Sequence, residues 1–206
     1  MWKYKFHVPE TKQVRLLVYT DCANEADDQY AVAHVLMTQK FDVVGIIAAH
    51  FDMNTRREGA PYAPGTTAQA SYDEILTVLD KMGVSGQYPI ALGSGVPLED
   101  EKTPILSDGA KMIIEEAMKD DPRPLYIGCQ GSITDLASAI LAKPEICDRM
   151  TAIWIGGGDY PNGGFEFNLM QDINAGNVLF SSKMPVWQIS GSIFYKLALS
   201  PCHERH

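Results

Sequence analysis

The scarcities of this 206-residue chain narrow its function before any motif is read. Positive charge is short: 17 Lys and Arg stand against 26 Asp and Glu, a formal net charge of −9. A nucleic-acid binder needs a basic footprint to neutralise phosphates, so the composition argues against that class. No apolar run approaches the ~20 residues that span a bilayer, and mean hydropathy is −0.11. The opening fifteen residues, MWKYKFHVPETKQVR, are too polar for the apolar core of a secretory signal. A cytoplasmic protein without nucleic-acid or membrane partners is therefore expected. Cysteine is sparse and scattered. Cys22, Cys129, Cys147 and Cys202 form no Cys-x-x-Cys and have no paired histidines nearby. That spacing disfavours zinc, and a chain of this size does not need a disulfide framework, so free thiols are expected. Glycine-rich phosphate cradles are also missing, since neither GxGxxG nor GKS/T occurs.

What remains is ordinary for a globular protein: 46% hydrophobic and 21% charged residues, enough for one core. No repeat, low-complexity tract or composition break divides the chain, so a single domain over 1–206 is expected. Short β-branched runs alternate with longer helical patterns. The expected strands are Arg15–Thr20, Phe41–Ala49, Tyr88–Leu92, Pro124–Cys129, Thr151–Ile155 and Pro185–Ile189. Helices are expected near Asp27–Gln39, Thr67–Lys81, Asp108–Lys119, Ser132–Lys143 and Asp172–Ser182, with loops over Asn54–Gly65 and Ser94–Leu106. This alternation implies βαβ crossovers, hence an α/β fold with a mainly parallel, doubly wound sheet of about six or more strands.

Ligands of such sheets bind beyond the carboxyl ends of the strands. The segment after the first strand, TDCANEADD, places Asp21, Glu25, Asp27 and Asp28 around Asn24. Two like charges about 4 Å apart repel by roughly 4 kcal/mol at an effective dielectric near 20. Water, protonation or a cation must offset this, and an all-oxygen donor set suits Ca²⁺, or less well Mg²⁺, rather than zinc. The plainer alternative is an acid-rich helix start, with Asn24 or Asp27 as the cap. An aspartyl-phosphate site would need a second Asp two residues after Asp21, where Ala23 stands.

Taken in order, these residues resemble the nucleoside hydrolases. Asp21-Cys-Ala-Asn-Glu-Ala-Asp27-Asp28-Gln is similar to that family's D-x-D-x-x-x-D-D signature, and closer to a nucleoside-hydrolase-like branch with T-D-x-x-N-E-x-D-D-Q. The likeness continues through Phe41–Ala49, Gln130-Gly-Ser-Ile-Thr-Asp135, Ile155-Gly-Gly-Gly158, Phe165-Glu-Phe-Asn168 and Asp172. It covers about Val14 to Ser190.

The resemblance implies calcium-dependent hydrolysis of the N-glycosidic bond of a ribonucleoside or related small glycoside. It makes Asp28 a calcium ligand, with Asp21, an inward-turned Asn24 and the Gln130 backbone carbonyl beside it. Asp27, Glu166, Asn168, Asn162 and Asp52 become sugar contacts. Alternation in FEFN would put Glu166 and Asn168 on one side of the chain. Ala23 stands where the family's second Asp is both ligand and base, so Asp21 or Glu25 must take the proton. Usual members extend further, with a late Asp and a late His in their sites; here the sequence ends at His203-Glu-Arg-His206. A sugar- or nucleoside-binding module without turnover is the alternative these departures favour, and the family often forms homo-oligomers.

Plainer roles compete at single positions. Asp172 suits a helix cap, His50 a satisfied interior histidine, and Gly156–Gly158 a tight turn. For Phe51, Tyr160 and Phe165, packing in the core is expected over stacking on a base.

Overall fold

The computed structural model describes residues 4–193. Cys202, His203 and Glu204, singled out above, lie outside the described residues. Among the described residues six strands form one sheet: β1 (Val14–Thr20), β2 (Phe41–Ala48), β3 (Ile90–Leu92), β4 (Leu125–Gln130), β5 (Met150–Ile155) and β6 (Val186–Ile189). Their order is β3-β2-β1-β4-β5-β6 and every neighbouring pair is parallel. Parallel pairing needs crossovers. These are supplied by α1 (Ala26–Leu36), α2 (Thr67–Lys81), α3 (Asp108–Met118), α4 (Thr134–Ala142), α5 (Phe167–Gln171) and α6 (Ile173–Ser181).

Strand periodicity divides the interior in two. On β1, Leu17 and Tyr19 enter the core shared with α3, α4 and α6, where Ile113, Leu136 and Leu179 are buried. Leu16 and Val18 enter the other core, beneath α1 and α2, with Val32, Leu36, Ile75 and Leu79. With both faces covered, β1 is buried along nearly its whole length. Among the described residues no helix is long and apolar enough to cross a membrane.

The connections run outward from β1 to β2 and β3 on one side, then return to β4 on the other. The sheet's switch point thus lies between β1 and β4, whose last residues, Thr20 and Gln130, are register partners. The crevice expected to hold a ligand opens there.

Local chemistry overrides the sequence pattern in three places. FEFN is not an alternating strand, because α5 begins at Phe167. The Glu166 carboxylate caps that helix, accepting from the Asn168 and Leu169 N–H groups at 3.0 and 2.8 Å. The start of α1 has no side-chain cap; its N-cap residue is Glu25, so neither Asn24 nor Asp27 serves as one. Tyr160 and Phe165 are 93% and 82% exposed instead of packed in the core. Both belong to a loop closed on itself by the Gly163 N–H donating to the Asp159 carbonyl at 2.7 Å. A Cβ on Gly158 would lie 2.2 Å from the Gly163 carbonyl carbon, so only glycine permits that closure, and the loop tip is pushed into solvent.

Candidate active site

Beyond the switch point lies a cavity of about 180 Å³ walled by the β1–α1 turn, the end of β4, the end of β5 and the start of α5. Asp21, Asn24, Glu25, Asp27 and Asp28 supply one wall; Gln130, Glu166 and Asn168 face them across it. Eight of the ten residues singled out from the sequence therefore share one space, although 147 positions separate Asp21 from Asn168.

The turn is built to crowd acids. The Asn24 N–H donates to the Asp21 carbonyl at 2.7 Å, folding the chain back at the strand end. Asp21 is buried against Gly131, where a Cβ would meet its carboxylate at 3.0 Å. Gly131 is itself held by the Trp154 indole N–H, which donates to its carbonyl at 3.1 Å. Asp28, buried in the first turn of α1, accepts from the Thr20 hydroxyl. Its position lets the helix dipole help hold negative charge.

The electrostatics follow from that burial. Desolvation, reinforced by the neighbouring Asp28, holds the Asp21 carboxyl well above the usual carboxylate range. Desolvation pushes Asp28 up to about 7 despite the opposing hydrogen bond from Thr20. Glu25, at the rim, is raised by partial burial and by Asp27. The Asp21 Oδ2 atom is buried and has no hydrogen-bond partner among the described residues. A buried carboxylate oxygen left unpaired is costly, and it marks a position that a proton or a cation would satisfy.

The oxygen chemistry of the lining is the kind a hard divalent ion takes: Asp21 and Asp28 could offer anionic oxygens, and Asn24 and Gln130 neutral ones. The Asn24 side-chain carbonyl already accepts from the Asn54 amide at 3.0 Å, but carbonyl oxygen has a second lone pair. Among the described residues, no three His, Cys, Asp or Glu side chains are gathered so as to hold a metal ion. Neutral oxygens would have to complete the set, as Ala23 at the missing acid requires.

Two expected sugar contacts lie elsewhere. The Asp52 carboxylate is buried outside this cavity and accepts from the Gly65 N–H at 2.6 Å, closing the loop ahead of α2. Asn162 is exposed at the loop tip described above and does not line the cavity. Glu166 does line it, but its carboxylate also accepts from the Gly157 N–H at 2.8 Å. It joins the glycine turn to α5 whatever else it contacts. The Asn168 amide donates to the Ile155 carbonyl at 2.9 Å.

Outside the cavity's lining, a polar chain joins residues far apart in sequence. Thr134 donates to Asp172 Oδ2 at 2.6 Å, so its oxygen accepts from His50 Nε2 at 2.7 Å. His50 Nδ1 in turn accepts from the Asp52 N–H at 3.3 Å. The imidazole is thus the neutral Nε2–H tautomer, and burial lowers it to about 4. Asp172 caps α6 through the Ala175 N–H at 2.8 Å and also accepts from the Leu98 N–H at 2.9 Å. Asp135, fully buried, accepts from the Tyr19 hydroxyl at 2.5 Å, from the Ser94 N–H at 3.0 Å and from the Ser107 hydroxyl. Its partners lie 28 to 116 positions away, which hides the role from any local pattern. Cys22, Cys129 and Cys147 are buried free thiols.

A parallel α/β sheet with an acidic, oxygen-lined cavity at its switch point defines a broad class of small-molecule sites. Comparison with known proteins narrows it. The family model described as inosine-uridine preferring nucleoside hydrolase matches residues 16–204, nearly the whole chain, and the chain belongs to that family. The inosine-uridine preferring nucleoside hydrolase of Crithidia fasciculata is 24% identical over 147 residues, covering 69% of this chain and 45% of that protein. An inosine-guanosine nucleoside hydrolase superposes with a TM-score of 0.67 at 18% identity, covering 89% of this chain and 62% of the other. The purine-preferring ribonucleoside hydrolase from Gardnerella vaginalis gives 0.66 at 19% identity, covering 85% and 60%. These likenesses establish the fold. The chain spans about half the length of the Crithidia relative, or less than two thirds of each solved neighbour.

Proposed function

We propose that this protein hydrolyses the N-glycosidic bond of a ribonucleoside or a closely related small glycoside, with the Asp21–Asn168 cavity as its active site. The observation that carries the reading is the unpaired, buried Asp21 Oδ2 beside Asp28, facing Glu166 and Asn168 across one cavity. A polyol fits such a wall, because each hydroxyl can donate to a carboxylate while accepting from an amide.

The residues divide the work as follows. Asp27 at the mouth and Glu166 and Asn168 opposite hold the sugar hydroxyls. As the bond to the leaving group breaks, positive charge develops on the ribosyl carbon, and the acidic wall stabilises it in place. A carboxylate must accept the proton of the attacking water; Asp21 and Glu25, both on the acidic wall, are the candidates. Asp21, Asn24, Asp28 and the Gln130 carbonyl would hold Ca²⁺, which when bound offsets the crowded carboxylates and acidifies water beside it.

One observation favours a second reading, a binding module without turnover: Ala23 supplies no carboxylate at the turn. Incubating the protein with Ca²⁺ and a panel of nucleosides, then assaying free ribose, separates the two. Ribose release is expected. Thermal stabilisation by a nucleoside with no release would establish the binding module instead.

A further inference from the structure

A second cavity, of about 220 Å³, adjoins the acidic one and shares Asn24 with it. The two have opposite character. Among the described residues, carboxylates and no cation line the first, whereas Arg57 is the sole charged residue lining the second. Its walls come from the 3-10 turn Asp52–Arg56 and the loop after it. Phe51 and Tyr62 meet edge to face with ring centroids 5.3 Å apart, making one firm side. Asn54 makes the partition, donating to Asn24 at 3.0 Å. The β1–α1 turn contributes Ala23 and Asn24 to the lining, a methyl group and a carboxamide, and no acid.

Arg57 is exposed, and among the described residues no carboxylate lies within ion-pairing distance of it. Arg15 and Arg123 are engaged by acids, whereas Arg56 and Arg149 share with Arg57 the absence of an ion pair among the described residues but line neither this cavity nor the acidic one. In a chain with nine more acids than bases, a guanidinium left unpaired on a cavity wall is free to take an anion from a ligand.

We propose that this cavity is the second half of the site and binds an oxyanion group, a phosphate or a carboxylate, of the ligand whose polyol occupies the acidic cavity. The proposal rests on the reading of that cavity as the sugar site. It specifies the substrate class: a glycoside carrying one anionic substituent, oriented by Arg57 at one end and kept from reversed binding by the acids at the other. Glu25 and Asp27, the acids of the first cavity not assigned to the ion, disfavour an anion at that end, so the two ends of the ligand are sorted by charge.

The test compares matched ligands by calorimetry and by release of the free sugar (ribose, or ribose 5-phosphate from the monophosphate), in Ca²⁺-containing buffer. Inosine is set against inosine 5′-monophosphate, which carries the anion on the sugar. Uridine is set against orotidine, which carries it on the base. One anionic member is expected to bind about tenfold or more tightly than its neutral partner, the scale of one charge-assisted hydrogen bond. Which pair shows the preference identifies the source of the anion. Arg57→Gln should bring that ratio close to one, while Arg56→Gln, one residue away and outside the lining, should leave it intact. Absence of preference in both pairs overturns the proposal, as does a preference that survives Arg57→Gln. Release of ribose from inosine or uridine without any preference leaves the hydrolase reading standing and this one refuted. Arg57-dependent anion preference without release upholds this cavity and refutes hydrolysis.

Discussion

Two sets of buried carboxylates sit at the carboxyl edge of the same sheet, and their treatment differs. Asp135 and Asp172 are saturated by neutral donors: the Tyr19 and Ser107 hydroxyls and the Ser94 N–H for the first, Thr134, Leu98 and Ala175 for the second. Asp21 and Asp28 have other acids for neighbours and share a cavity wall, and one oxygen of Asp21 has no partner among the described residues. Burial raises the proton affinity of all four. Only the second pair is left with something for a ligand to supply. The first set holds the scaffold in register; the second keeps a charge imbalance that binding would relieve.

The largest effect that separates them is on stability. Asp135→Ala strands two hydroxyls and an N–H in a sealed interior, and should cost about 3–5 kcal/mol in urea denaturation. It should leave any calcium response of the surviving folded protein in place. A loss under 1 kcal/mol would mean that the network is not structural.

His50 belongs to the saturated set and gives that set a pH signature. Its folded value of about 4 lies below the ordinary 6.5, so the unfolded chain takes up a proton first as pH falls. The His50 contribution to stability is therefore lost from about pH 7 down to about pH 4, by about 3 kcal/mol. Asp28 works in the opposite sense. Its raised value means that the folded state takes up the proton first, so the same acidification restores stability. Comparing wild type with His50→Gln isolates the histidine: the variant should lose less stability than wild type over that range. Parallel curves would contradict the neutral buried imidazole.

Asp21→Asn should sharpen the contrast from the other side. It removes a desolvated carboxyl and its repulsion from Asp28, so calcium-free stability should hold or rise by about 1 kcal/mol. Ribose release should fall sharply. The smallest effect is expected at Asp52→Asn. One loop hydrogen bond to Gly65 weakens, at about 1 kcal/mol, with no change in nucleoside binding.

Sequence reached the cavity-lining set more readily than the scaffold set, for a physical reason. Asp21 to Asp28 are contiguous, follow a strand with a plain apolar signature, and fall at a switch point that topology marks as a binding crevice. The Asp135 partners come from β1, the segment after β3 and the start of α3, so no local spacing reveals them. Asp172 was legible because capping is local. Phe165–Asn168 misled because four residues of alternation suit a strand or a helix start equally, and the decision fell to where the Glu166 carboxylate found its N–H donors. The exposure of Tyr160 and Phe165 came from a closure among glycines that hydrophobicity does not record. α2 matched its expected limits, Thr67–Lys81, because its apolar period was unbroken.

The most direct test of the account is a calorimetric titration of Ca²⁺ into wild type and Asp21→Asn, paired with melting curves at saturating ion. The account predicts one saturable site in wild type and, at a hundredfold excess over Kd, about 2.7 kcal/mol of stabilisation. It predicts neither in the variant. Equal heats and equal stabilisation in both proteins, or no binding to wild type, would contradict it.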